Sequence, residues 1–430
     1  RVRNLLLKCI RGISMWHQAS MEQQSPPEGA YSQSRSRRCT DLQGRHIPAP
    51  VRLDSDIGCR PEWSYTCSEA PNRSLEGTMR VLIVKVSSLG DIIHTLPAVT
   101  DAHLAHKDLV FDWVVEESFA EVPGWHPAVD KVIPVAIRRW RRSLVKTYLN
   151  REFRSFRHAL QGEHYDLVID AQGLIKSGII SRLSKGLTIG LSNRTIREPL
   201  ATLFYNKVYS VPWTEHAVDR VRQLFSRALK YNYDNDVVDY GIDINRVEGV
   251  ESSQDSKQIV FLHGTTWNTK HWPEYYWRHL AHIATEAGYE ILIPWGNPNE
   301  RIRADFIARD NERVTVLDKQ SLSGLAQKVN GSSGVIAVDT GLGHLAAALS
   351  KPTVSLYGPT NPDLSGTFGA KQLHLNSNLN CAPCVKKACN YSGPIVTDEF
   401  DSQPFTVIPP CFSAHKPENV WQQFEKLLQK

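Results

Sequence analysis

The chain has no cysteine between Cys67 and Cys381, so its long central body cannot be held together by disulfides, as suits a reducing compartment. No apolar run approaches the ~18 residues that a membrane-spanning helix needs. The opening RVRNLLLKCIRGISMW is basic, but its apolar stretch is too short and broken for a secretory signal. Together these features predict a cytoplasmic protein. Excess charge is also missing. The formal net charge of +5 over 430 residues does not mark a general nucleic-acid binder. Methionine is scarce, with 3 in all and none after Met79. The turn after the first strand-like run lacks both G-x-G-x-x-G and G-x-x-x-x-G-K-[ST]. That counts against a dehydrogenase-type dinucleotide site and against a P-loop NTPase.

What is present is a soluble globular composition, 41% apolar and 22% charged, long enough for two or three domains. Residues 1–78 stand apart. They are rich in Ser, Arg, Gln, Pro and Gly, have no sustained period, and contain SQSRSRR. Such a segment buries too little apolar surface to offset its ordering entropy. It is expected to be a disordered or non-native extension, with the natural start at Met79; a targeting role is the alternative.

From Met79 onward strands and helices alternate. Strand-like runs are Val81–Val86, Val110–Val115, Val132–Val135 and Leu167–Ile169, with helical spacing over Ser143–Gln161, Glu198–Asn206 and His216–Leu229. The acidic, polar stretch 230–257 reads as a linker carrying one strand, Val237–Ile244. A second series follows: Ile259–Leu262, Glu290–Pro294, Val314–Leu317, Val335–Val338 and Thr353–Tyr357, with helices between. Strands separated by helical patterns mean βαβ units and parallel sheets. The expected architecture is α/β: two Rossmann-like lobes facing across a cleft, residues 79–245 and 246–415. A last helix, within 416–430, is amphipathic and suited to cross back to the first lobe.

Several segments carry chemistry. In Met79–Pro97, MRVLIVKVSSLGDIIHTLP, a buried strand feeds a small-residue loop and then Asp91 at the start of an apolar helix. There a carboxylate stays ionised and accepts a proton; the same position equally suits an ordinary helix cap. HGTTWNTKHWP, His263–Pro273, offers two threonines, a glycine and Lys270 to an anion, or is a polar loop with a solvated lysine. VDTGLGHLAAAL, Val338–Leu349, supplies a glycine-rich strand-to-helix turn whose free N–H groups suit a diphosphate. Glu300, in PWGNPNE, fits ribose hydroxyls or a base amine, or is a helix-start carboxylate. IRRWRR, Ile137–Arg142, gathers four arginines around Trp140, with Lys85, Lys176, Arg194 and Arg197 able to extend the patch. CAPCVKKAC, Cys381–Cys389, with Cys411 beyond, has a C-x2-C spacing. Cys381, Cys384, Cys389 and Cys411 suit either a structural zinc ion or a thiol cluster.

Taken together, VLIVKVSSLGDIIHTLPAVTDA, FDWVVEESFAEVPGWHPAVDKVIPVAIRRWRR, YDLVIDAQGLIKS, REPLATLFYN, KHWPEYYW, VDTGLGHLAAAL and LYGPTNP resemble the ADP-heptose:lipopolysaccharide heptosyltransferases, in the family's order. The resemblance implies a GT-B fold, with the acceptor held by the first lobe and the nucleotide sugar by the second. It implies Asp91 as catalytic base, with Lys270 stabilising the leaving group. Donor contacts would fall to Thr265, Thr266, Glu300, Asp339, Thr340, Gly341 and His344. Acceptor contacts would fall to Ser88, Gly90, Arg138, Arg139, Arg141, Arg142 and Arg197. The implied substrates are ADP-L-glycero-D-manno-heptose and Kdo2–lipid A, met at the inner-membrane surface, with no metal cofactor and no nucleic acid. The arginine segment resembles enzymes that add the first heptose, and the cysteine spacing those that add the second. A non-catalytic bilobed sugar-binding protein is the reading from a different class; Asp91 would then be only a cap.

Overall fold

The computed structural model describes residues 78–141, 151–247 and 257–429. Arg142 and the start of the helix expected from Ser143 lie outside the described residues, as do the first 77 residues.

In the first strand β1 (Met79–Val84) the last four side chains are all buried, so both faces of the strand are covered, as in a central parallel strand. It leads into a short helix α1 (Leu89–Ile93) and then α2 (Leu96–Ala105). Next come β2 (Leu109–Glu116), β3 (Val129–Val135), α3 (Arg151–Gln161), β4 (Leu167–Asp170), α4 (Ile175–Leu183), β5 (Leu187–Leu191), β6 (Lys207–Tyr209) and α5 (Ala217–Leu229). The six strands form one sheet ordered β3-β2-β1-β4-β5-β6, parallel throughout.

The second half repeats this plan. It runs β7 (Gln258–Leu262), α6 (Glu274–Glu286), β8 (Glu290–Ile293), α7 (Pro298–Ala308), β9 (Val314–Val316), α8 (Leu322–Gly331), β10 (Gly334–Val338), α9 (Gly341–Ala348), β11 (Thr353–Tyr357) and β12 (Gln372–Asn376). A small hairpin, β13 (Thr397–Phe400) and β14 (Gln403–Thr406), and helix α10 (Pro417–Leu428) complete it. Its sheet order is β12-β11-β10-β7-β8-β9, the same doubly wound order counted from β7. In each sheet the winding reverses beside the first strand, which is where such folds bind ligands.

Three expectations need correction. The segment Val237–Ile244 is no strand. The buried Arg222 guanidinium pins it as a loop, donating to the carbonyls of Asp234 and Val237 at 2.8 Å each and pairing with Asp101 at 2.7 Å. Glu198–Asn206 is not an α-helix but a 3-10 helix, Pro199–Phe204, running into β6. The last helix does not cross back. The apolar stripe of α10 (Val420, Trp421, Phe424) is buried in the core of the second lobe, where Phe424 packs against Gly334.

Candidate active site between two facing lobes

The loop after β1 is held from below. Gln172, after β4, accepts from the N–H groups of Val86 (3.0 Å) and Ser87 (2.9 Å). Lys85 is buried and donates to the Ala171 carbonyl at 2.8 Å, with its Nζ 3.8 Å from Asp91 Oδ1. Asp91 Oδ2 accepts from both the N–H and the Oγ of Ser88, at 2.8 Å each. The two readings of Asp91 are thus shared between its oxygens, one capping the helix and the other free of hydrogen bonds. Burial opposes ionisation, yet the Lys85 ammonium and the two Ser88 donors hold the carboxyl below its ordinary value. Lys85 is itself pushed down, chiefly by burial.

Around this loop the first lobe is cationic. Lys176 donates to Ser87 Oγ at 3.4 Å and lies within electrostatic reach of Arg138 and Arg141. Arg197 acts on both Asp91 and Lys85. Lys176 thus adjoins the arginine segment, whereas Lys85 and Arg197 neighbour Asp91 and Arg194 is exposed. Arg139 is otherwise engaged. Its guanidinium bridges Glu117 at 2.8 Å and Glu152 at 2.5 Å, so it presents a neutralised group. Arg220 was not anticipated. It stands near Lys85, stacks on the Trp213 ring at 3.7 Å, and keeps its buried Nε unpaired.

Across the gap, the loop after β7 carries Lys270, whose Nζ meets Asp339 Oδ2 at 2.7 Å. Asp339 also accepts from Thr360 at 2.6 Å, and its carbonyl accepts from Thr265 Oγ1 at 2.9 Å. Lys270 lies over the Trp267 ring at 4.5 Å, and Thr266 is exposed. Thr340 caps α9 without a side-chain hydrogen bond, and its carbonyl accepts from Gly343 N at 3.1 Å. Glu300 lies against Gly264, where a Cβ would meet its carboxyl carbon at 2.8 Å, and accepts from Gly296 N at 2.7 Å. The structure thus brings Thr265, Lys270, Asp339 and Thr360 into one cluster, with Glu300 bordering it through Gly264.

His344, in the first turns of α9, lies within electrostatic reach of Asp339 and Lys270 and also reaches the first lobe. Its Nδ1 is 3.0 Å from His94 Nε2 of the first lobe, both rings being buried. His216, at the start of α5, is edge-on to His94 at 5.5 Å, stacks on Phe368 at 4.4 Å and bonds the Gly366 carbonyl at 3.1 Å. Burial drives His216 down to about 4 and His94 well below the usual imidazole range. At the same joint, a Cβ on Gly90 would meet His344 at 2.6 Å, and one on Gly341 would meet Leu89 at 2.9 Å. Ser323 N of the second lobe also donates to Glu121 of the first at 2.7 Å. No spacing in the sequence signals this histidine joint, because its members come from three distant segments.

The four late cysteines line one narrow cavity beside Thr269. Cys411 is buried, and burial with its three neighbours pushes its thiol up to about 12. Among the described residues no group of three or more His, Cys, Asp or Glu is arranged to hold a metal ion. The cysteine loop touches the loop that carries Lys270, since Thr269 Oγ1 donates to the Lys386 carbonyl at 2.6 Å and Lys387 lies over Trp267 at 5.6 Å.

Two doubly wound parallel-sheet lobes with loops meeting between them make a GT-B architecture, the fold of many glycosyltransferases. Residues 153–394 match the model of glycosyltransferase family 9 (heptosyltransferase). Lipopolysaccharide heptosyltransferase 1 of Pseudomonas aeruginosa is 51% identical over 354 residues, covering 81% of this chain and 98% of that one. The protein of the same name from Escherichia coli K12 is 48% identical, covering 72% of this chain and 99% of its own. The solved structure of E. coli heptosyltransferase WaaC with ADP superimposes with a TM-score of 0.66 at 47% identity, over 69% of this chain and 92% of that one. The chain belongs to glycosyltransferase family 9, the heptosyltransferases.

Proposed function

We propose that this glycosyltransferase moves L-glycero-D-manno-heptose from ADP-heptose to the Kdo sugar of Kdo2–lipid A, in lipopolysaccharide inner-core synthesis. The observation that carries the mechanism is Asp91. Its Oδ1 has no hydrogen-bond donor on it, while Lys85 and Ser88 keep the group ionised. In this reading the acceptor hydroxyl attacks the anomeric carbon as the C1–O bond to ADP breaks, and its proton passes to Asp91. One displacement inverts the anomeric centre. General-base help of this kind is worth about 10²–10⁴-fold.

The second lobe, residues 246–415, takes the donor. Lys270, oriented by Asp339, meets the charge growing on the departing diphosphate, with Thr265, Thr266 and the N–H groups at Thr340 and Gly341 beside it. Glu300, against Gly264, faces the nucleoside. His344 borders the turn at Thr340 and Gly341 and also joins the lobes through His94. Because Lys270 and the start of α9 supply positive charge, the reading needs no divalent ion. The first lobe, 79–245, takes the acceptor through Ser88, Gly90, Arg138, Arg141 and Arg197. Arg139 acts mainly by bridging Glu117 and Glu152. The acceptor is a lipid, so the enzyme works at the cytoplasmic face of the inner membrane. Among the described residues no helix is long and apolar enough to cross it.

The test incubates the full chain and its Asp91→Ala variant with ADP-heptose and Kdo2–lipid A, following ADP release and product mass. Gain of one heptose by the parent only, with the variant folded, supports the reading. Transfer only to an already heptosylated core moves the acceptor one sugar outward. No transfer to any acceptor removes the function.

A further inference from the structure

The 3-10 helix Pro199–Phe204 begins two residues after Arg197, an exposed cation whose charge is felt at Asp91. Residues i and i+3 eclipse in a 3-10 helix. Ala201 therefore turns inward with no exposure, and Phe204 packs on Gly178, where a Cβ would meet its ring at 2.7 Å. Leu200 and Leu203 then share the opposite side, 60% and 79% exposed. The helix is fixed at its start, where Glu198 accepts from Ile175 N at 2.7 Å. Two leucines are thus held out to solvent on a rigid mount. A solvated surface gains nothing from that arrangement.

They do not stand alone. Leu187 on β5, Val208 on β6 and Trp213 beyond it are also exposed, at 50%, 42% and 47%. β6 is the terminal strand of its sheet, and Asn206, just before it, exchanges hydrogen bonds with Thr188 next to Leu187. Charge separates the possible occupants. Residues 174–214 contain six basic side chains (Lys176, Arg182, Lys185, Arg194, Arg197, Lys207) and one acidic residue, Glu198, which is bonded inward. A second copy would bring like charge against like charge. An anionic bilayer supplies both the opposite charge and an apolar layer.

We infer that the edge of the first lobe formed by Leu200, Leu203 and the β5–β6 margin is a membrane-seating surface, inserting shallowly into the interfacial layer of an anionic bilayer. It rests on the lipid-acceptor reading above. Seated this way, the side of the lobe that carries Arg197 faces the surface from which a lipid-linked sugar rises toward Asp91.

The experiment floats the full chain with vesicles of phosphatidylethanolamine and phosphatidylglycerol, and with phosphatidylcholine alone. The parent is expected on the anionic vesicles and only weakly on the neutral ones. Leu200→Ser with Leu203→Ser should weaken that binding by about tenfold or more, with Leu203→Trp retaining it. The double serine variant should keep the parent's turnover on a deacylated, water-soluble acceptor and lose turnover on vesicle-borne acceptor. Unchanged flotation of the double variant overturns the inference, as does a parent dimer that this variant dissociates. Failure of the parent on both acceptors instead removes the lipid-acceptor reading, which flotation reports separately.

Discussion

Gly90→Ala probes the joint between the lobes at a point where the steric consequence can be worked out. Gly90 lies in α1, one residue before Asp91, and the added methyl would sit 2.6 Å from His344 Cδ2 and 3.1 Å from its Nε2. The imidazole cannot swing aside freely, because Nδ1 is engaged with His94 at 3.0 Å and the ring is buried. Overpacking of this kind costs about 1–3 kcal/mol. The contact joins the two lobes, so that cost falls on the closed state and lowers the closed-to-open ratio by about 5- to 150-fold. Turnover should drop by up to the same factor. Small-angle scattering with ADP should show a larger radius of gyration than the parent. Adding His344→Ala removes the clashing ring, so the double variant should be far less impaired than two independent losses would give. A Gly90→Ala enzyme with parental kcat/KM and radius would refute the reasoning, since the joint would then tolerate the methyl without opening.

Lys270→Ala should reduce kcat by about 10²–10³-fold and weaken ADP binding in calorimetry, because it also leaves Asp339 without its cation. Lys85→Met removes the ammonium that helps hold Asp91 low, so the acidic limb of the rate profile should move to higher pH; an unmoved limb would mean that Asp91 is not the titrating base. His216 falls from 6.5 unfolded to about 4 folded, so the unfolded chain binds more protons between those values. Its stabilisation is complete above pH 6.5 and is lost as pH falls toward 4, on the order of 3 kcal/mol. Melting temperature should fall across that window, and His216→Phe should flatten the slope. Treatment with EDTA should leave the initial transfer rate unchanged; a rate restored only by an added divalent ion would contradict the role given to Lys270.

The repeated strand–helix plan was legible because central parallel strands are apolar on both faces, as Val81–Val84 and Ile259–Leu262 are. The far side of the first sheet carries no such run: β6 is three residues with two exposed, and β5 beside it contains Gly190, whose missing side chain makes room for the Tyr205 ring. Neither looks like a strand in isolation. The site loops were legible for a related reason, since small residues and a polar group after an apolar run have a local cause in the strand-to-helix turn. Pairings between lobes have none. Whether Arg139 meets a ligand or Glu152, whether His344 meets a phosphate or His94, and which lobe receives α10 all depend on partners far away in sequence.

Asp91 shows why a local pattern can support two readings that the fold reconciles. A carboxylate at the third position of a helix normally turns back to the cap residue, and here one oxygen does so twice, toward Ser88 N and Oγ. The same bonds fix the direction of the other oxygen, which a base must have before it can meet a hydroxyl. They also lower its proton affinity, together with Lys85. A base of lowered proton affinity is a weaker one, and in the proposed mechanism it would take the proton efficiently only once the attacking hydroxyl has become strongly acidic through bonding to the anomeric carbon. In this reading orientation comes from the cap and ionisation from Lys85 with the cap, while the second lobe would supply the driving force by stabilising the departing diphosphate. The proposed chemistry is divided between lobes, and their contact at Gly90, Gly341 and the histidine pair joins the two parts.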